Sequence, residues 1–116
     1  MMKLYFIEKV NELCSHVPAS WESGYRTPTR NKTIGGAVGS LHQLGLAQDL
    51  IYDSVADLWQ AAQKAIELGF GGIEVDLTNS HLHVDFRDTI WHVVRYNDGS
   101  HIMTISYHEY CTRFQI

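Results

Sequence analysis

The sequence lacks several features that mark special classes of protein. It has only two cysteines, Cys14 and Cys111, which stand far apart and form no CxxC pair, so we expect two free thiols rather than a disulfide. No apolar run approaches the roughly 18 residues that a membrane-spanning helix needs. The net charge is −4, without a block of like charge. These absences argue against a membrane protein and against a nucleic-acid partner held by bulk electrostatics.

The start of the chain, "MMKLYFIEKVNELC", also lacks the long apolar stretch and the small-residue cleavage site of a secretory signal. Its short apolar run is broken by Glu8 and Lys9. We therefore expect no signal peptide and a product that is cytoplasmic as synthesised. A length of 116 residues predicts a single domain, residues 1–116, that is large enough for one hydrophobic core.

Hydrophobic spacing predicts an α+β fold. Helical periodicity indicates a first helix over Lys3 to Leu13, and a short strand is expected around Trp21 to Gly24. A long loop rich in threonine and glycine follows Arg26, and such a loop in a small domain is more often functional than not. "LAQDLIYD" is typical of a mostly buried strand.

The second half contains the clearest local signals. "SVADLWQAAQKAIELG" predicts a helix that Ser54 caps and that Gly69 ends. Four strand-like stretches follow: "GGIEVDL", "HLHVDF", "IWHVVRY" and "HIMTISYHEY". A hairpin turn is predicted at Asn97 to Gly99. The sum is two helices packed on a mainly antiparallel sheet.

Seven histidines are many for this length, and histidine is the commonest metal ligand in proteins. In "HLHVDF", the side chains of His81, His83 and Asp85 alternate with apolar ones and therefore share one face of a strand. Earlier, His42 ends a loop and Asp49 opens the adjoining strand, so the two could converge on a metal ion. Spacing alone leaves a metal site and an exposed polar face as equal alternatives, because an HxH pattern is a weak signal.

Two segments resemble the zinc D-Ala-D-Ala carboxypeptidase-like peptidases. "SGYRTPTRNKTIGGAVGSLHQLGLAQDL" is similar to the signature region of this family, and "GGIEVDLTNSHLHVDFR" is similar to its closing segment. The superfamily also includes the L-alanyl-D-glutamate endopeptidases of phage lysis and the hedgehog signalling domain. The first motif is carried by Ser23–Arg26, Asn31, Gly35, Gly36, Ser40, His42, Gly45, Ala47 and Asp49.

This resemblance implies a hedgehog-like or DD-peptidase-like fold with Zn²⁺ as cofactor and His42, Asp49 and His83 as its ligands. It implies a zinc metallopeptidase of the D-Ala-D-Ala carboxypeptidase or L-Ala-D-Glu endopeptidase type. The partner would be the peptidoglycan stem peptide, with no nucleic acid and no membrane. A monomeric phage or prophage endolysin that reaches the cell wall once released fits these expectations.

The resemblance assigns the catalytic groups less completely. Arg26 would hold a carboxylate or carbonyl of the substrate, although it could instead pair with Glu22 on the surface. Many relatives carry an acidic residue three positions before the last zinc ligand, where this chain has Ser80. The candidate general bases, in descending order, are Asp85 and His81 together, followed by Asp76.

Two of these interpretations have alternatives. Asp85 could instead orient a ligand imidazole or pair with Arg87, and Glu74 is expected to be a solvated strand residue. Because of Ser80, an inactive zinc-binding module that recognises cell-wall peptide is a second hypothesis, and a phage structural component is a third.

Overall fold

The structure, a computed structural model, describes residues 3–21 and 45–116. Within these ranges the chain forms three helices and six strands. In chain order they are α1 (Leu4–His16), β1 (Ser20–Trp21), β2 (Ala47–Ile51), α2 (Val55–Glu67), β3 (Gly72–Asp76), β4 (His81–Asp85), β5 (Trp91–Asn97), β6 (Ile102–Ser106) and α3 (Tyr107–Phe114). The predicted α+β class is confirmed, whereas a hedgehog-like fold and a single domain stay predictions.

The strands form one mixed sheet in the order β1-β2-β4-β3-β5-β6. β3 and β5 run parallel, and the other neighbouring pairs are antiparallel. The prediction of a mainly antiparallel sheet is therefore wrong. β2 and β3 occupy both edges of β4, so β5 has to add to the outer edge of β3. The end of β4 lies beside the start of β3, and the chain crosses from that end of the sheet to the outer edge of β3. β5 therefore starts beside the start of β3 and runs parallel to it.

Two helices cover one face of this sheet and form the core with it. The buried helix residues are Phe6, Val10 and Leu13 of α1 and Leu58, Ala61, Ala62 and Ala65 of α2. They pack against Leu50, Ile73, Val75, Leu82, Val84 and Val94 of the strands. The side chain of Ser54 accepts a hydrogen bond from the backbone N–H of Asp57 at 3.1 Å, which confirms the predicted cap of α2.

The third helix, α3, replaces the second half of a predicted strand. "HIMTISYHEY" was expected to be extended throughout, but the chain becomes helical after Ser106, whose side chain accepts a hydrogen bond from the N–H of Glu109 at 3.0 Å. Tyr110 and Phe114 lie on the same helix face and both pack against Tyr96 of β5. Capping and this aromatic contact explain why the segment leaves the sheet.

Several local predictions can be compared directly with the structure. The hairpin at Asn97 to Gly99 is confirmed, because it joins β5 to β6 and the N–H of Asp98 donates to the carbonyl of His101 at 3.1 Å. Both cysteines are free thiols, as expected. β1 contains the first residue of the strand predicted around Trp21, and residues 22–24 and the long loop lie outside the described residues. None of the described helices is long and apolar enough to cross a membrane.

The N-terminal cap of α3 at Ser106 can be tested by substitution. We expect Ser106→Ala to lower the free energy of unfolding by about 1 kcal/mol, because the N–H of Glu109 loses its acceptor. Ser106→Asp keeps an acceptor and should stay close to the wild type. Urea denaturation of both variants measures the difference, and equal stability of Ser106→Ala and Ser106→Asp would contradict the cap.

Candidate active site

The face of the sheet opposite the core carries a concentration of polar side chains, which we call the polar face. The strand registers arrange it in three rows across β2, β4, β3 and β5. The central row consists of Asp49, His83, Glu74 and Val93. The flanking rows are Ile51, His81, Asp76 and Arg95 on one side and Ala47, Asp85, Gly72 and Trp91 on the other.

His83 is the centre of this face. Its Nδ1 lies 3.0 Å from Oδ1 of Asp49, and its Nε2 lies 2.6 Å from Oδ2 of Asp85. Burial disfavours the charged ring, but hydrogen bonds and charge from the two carboxylates outweigh burial and raise the pKa of His83 to about 9. Each ring nitrogen of His83 thus lies within hydrogen-bond distance of a carboxylate oxygen.

Asp85 is fully buried behind the ring of His83, and Arg87 holds it there. Nε and Nη2 of Arg87 donate to the two carboxylate oxygens at 2.8 and 2.6 Å. Burial alone would raise the pKa of Asp85, but the hydrogen bonds from Arg87 and His83 hold it below its usual value. The guanidinium in turn lies 4.4 Å from the ring centre of Trp91. Asp85 is therefore an ionised and immobilised partner of the imidazole.

The adjacent glycines make room for this carboxylate. A Cβ atom at Gly72 would overlap the carboxylate of Asp85, and one at Gly71 would overlap the backbone carbonyl of Arg87. β3 can lie beside β4 with Asp85 above it only because both positions lack a side chain. Gly71 and Gly72 thus contribute to the site by leaving room for neighbouring atoms, and they supply no reactive group.

Asp76 and Ser80 form the turn between β3 and β4. Asp76 accepts hydrogen bonds from the backbone and hydroxyl of Thr78 and from the side chain of Asn79. Burial would raise the pKa of Asp76, but these bonds lower it. The hydroxyl of Ser80 donates to the carbonyl of Tyr52 at 2.7 Å. Both side chains therefore stabilise the turn, which leaves Asp76 poorly placed as a base.

His81 and Glu74 are the other ionisable groups near His83. His81 lies on the polar face, with its Nδ1 3.9 Å from Oδ2 of Asp76. Glu74 pairs directly with His83 in the register and is half-buried, contrary to the expectation of a solvated residue. Burial raises the pKa of Glu74 in spite of the opposing charge of His83. Only the register of the β3–β4 hairpin could have revealed this neighbour.

The structure brings together part of the predicted site. Asp49 and His83 contact each other, and Asp85 contacts the imidazole of His83 and pairs with Arg87, while their roles as zinc ligands and as an orienting group stay predictions. His42 and Arg26 lie outside the described residues. Within residues 3–21 and 45–116, no group of three or more His, Cys, Asp or Glu side chains is arranged to hold a metal ion.

Comparison with known protein families gives a match to one family model. A sequence-family model described as Peptidase M15 matches residues 2–85, more than two thirds of the chain. The matched part contains β2 and β4, and hence Asp49 and His83, whereas β5, β6 and α3 lie beyond it. No curated protein matches the sequence.

The contact between Gly72 and Asp85 gives a stability test. We expect Gly72→Ala to lower the free energy of unfolding by about 3 kcal/mol, because the new methyl group displaces a buried, paired carboxylate. Gly99→Ala is the matched control. Its Cβ meets no atom, and only the strain of its positive φ, on the order of 1 kcal/mol, should appear. Chemical denaturation measures both, and equal losses would contradict the role of Gly72.

Proposed function

Because this chain belongs to the peptidase M15 family, we propose that it is a zinc-dependent metallopeptidase that hydrolyses peptide bonds in the stem peptides of peptidoglycan. The observation that carries this proposal is the convergence of Asp49 and His83, with Asp85 behind the imidazole. A carboxylate and an imidazole that meet in this way are a common ligand pair of catalytic zinc.

The described donor atoms fit such an ion. Zinc binds nitrogen and oxygen at about 2.0–2.2 Å, so tetrahedral geometry separates two such ligands by about 3.3 Å. The distance of 3.0 Å between Nδ1 of His83 and Oδ1 of Asp49 is close to this value. The third ligand in the proposal is His42, which precedes Asp49 by seven residues in the motif. Zinc would supply Lewis acidity to a water molecule and to the scissile carbonyl.

The described residues have separate tasks in this proposal. Asp85 receives the N–H of Nε2 and thereby directs Nδ1 of His83 towards Asp49, as carboxylates behind metal-binding histidines do. We assign Asp85 this positioning role in preference to that of a general base, because Arg87 engages both of its oxygens. His81 shares the polar face, with its Nδ1 3.9 Å from Oδ2 of Asp76.

We propose that Arg26 binds a substrate carboxylate or carbonyl and that the reaction is of the D-Ala-D-Ala carboxypeptidase or L-Ala-D-Glu endopeptidase type. A phage or prophage endolysin is the biological role that we favour. A second candidate is a zinc-binding module without activity. It is favoured by Ser80, which stands at the usual acid position and donates its hydroxyl to the carbonyl of Tyr52.

Metal binding provides the first test. We expect one zinc ion per chain, and Asp49→Asn or His83→Gln should weaken binding at least 100-fold because each removes a ligand. Asp85→Asn should weaken it by about 10- to 100-fold, since the ligand imidazole loses its orienting partner. Competition with a chromogenic chelator measures these affinities, and exposed Asp88→Asn is the control. Unchanged affinity in His83→Gln would rule out the proposed site.

Hydrolysis provides the second test. The zinc-loaded protein should reduce the turbidity of purified peptidoglycan and release fragments from a synthetic stem peptide. A chelator should abolish both activities, and added zinc should restore them. Mass spectrometry of the fragments identifies the bond that is cut. A zinc-loaded protein that binds the peptide without cleaving it would support the inactive module instead.

A further inference from the structure

Within the described part of the chain, Glu74 differs from the other carboxylates near His83 because it has no hydrogen-bond or ion-pair partner. Among the described residues no hydrogen bond or ion pair engages it, whereas Asp85 is held by Arg87 and Asp76 by the turn. It is nevertheless half-buried. A desolvated carboxylate without a partner lowers stability, and such residues are common where function requires them.

The position of Glu74 on the sheet also distinguishes it. It lies in the central row of the polar face, opposite His83 on the neighbouring strand. Directly opposed residues of an antiparallel pair have Cβ atoms about 4.5–5.5 Å apart, so the carboxylate can reach the space above the imidazole. The central row thus presents Asp49, His83 and Glu74 side by side from three strands.

We infer that Glu74 is the catalytic carboxylate that transfers the proton during peptide hydrolysis, an inference that rests on the proposed function. The oxygen of the attacking water forms a bond to the carbonyl carbon of the scissile peptide, and one of its protons passes to Glu74. The carbon–nitrogen bond then breaks, and the proton passes from Glu74 to the nitrogen of the leaving amine. The products are a carboxylic acid and an amine, so atoms and charge balance.

The surroundings of Glu74 suit this task. Charges on β4, β3, β5 and β2 act on it, namely those of His83, Asp76, Arg95 and Asp49. Glu74 is half-buried and lies directly opposite His83 in the central row, and position comes first in judging a candidate base. Glu74 therefore replaces Asp85, whose oxygens are occupied, as the candidate base, and it takes the role that Ser80 cannot perform.

Glu74→Gln tests the inference, because the amide has the same shape but accepts no proton. We expect kcat on a synthetic stem peptide to fall by about 10²- to 10⁴-fold. Zinc stoichiometry and the Kd of the uncleaved peptide should stay within twofold of the wild type. The metal-free variant should be at least as stable to heat as the wild type, since a desolvated charge is removed. Glu67→Gln, at an exposed position on α2, is the matched control and should keep full activity.

The outcomes separate the inference from the proposed function. If the wild type cleaves the peptide and Glu74→Gln retains its kcat within threefold, the inference is wrong. It is also wrong if His81→Gln alone abolishes kcat with zinc retained, or if Glu74→Gln loses zinc or thermal stability, because Glu74 would then have a structural role. A zinc-loaded wild type that cleaves no stem peptide overturns the proposed function and the inference together.

Discussion

The buried carboxylate of Asp85 is the interaction on which the rest of the site depends. A charge without solvent exposure is tolerated only when it is paired and hydrogen-bonded. Arg87 supplies one partner and His83 the other, so satisfying Asp85 also sets the orientation of the imidazole. The same requirement explains Gly72, because any side chain there would occupy the space of the carboxylate. One electrostatic constraint therefore links the packing of β3 and β4 to the chemistry of the polar face.

The sheet topology assembles the site from segments that are distant along the chain. β4 lies between β2 and β3, so Asp49 and Glu74 flank His83 from opposite sides. β5, which lies beyond the residues that the family model matches, contacts the polar face from one side. Trp91 of β5 packs against the guanidinium of Arg87 and lies edge-on to the ring of His83. Residues after 85 thus pack against His83 and Arg87 of the polar face.

Local sequence signals predicted the elements that depend on local physics. The cap and the glycine stop of α2, the alternation of β4 and the turn at Asn97 all have strong local causes, and each is observed. The helix α3 was missed because its aromatic residues follow a strand without a break, and the cap by Ser106 and the packing on Tyr96 separate the two. The direction of β5 was missed because it depends on which edge of the sheet is unoccupied.

The sequence by itself determined which side chains share the polar face, because the two-residue period of a strand places His81, His83 and Asp85 on one side. The resemblance of the motif also implied that Asp49 and His83 lie at one site, and the two side chains are in contact. Only the tertiary structure decided what each carboxylate can do. Register brought Glu74 beside His83, and burial with Arg87 fixed Asp85 behind the ring. These assignments depend on contacts between strands, and no spacing along one strand encodes them.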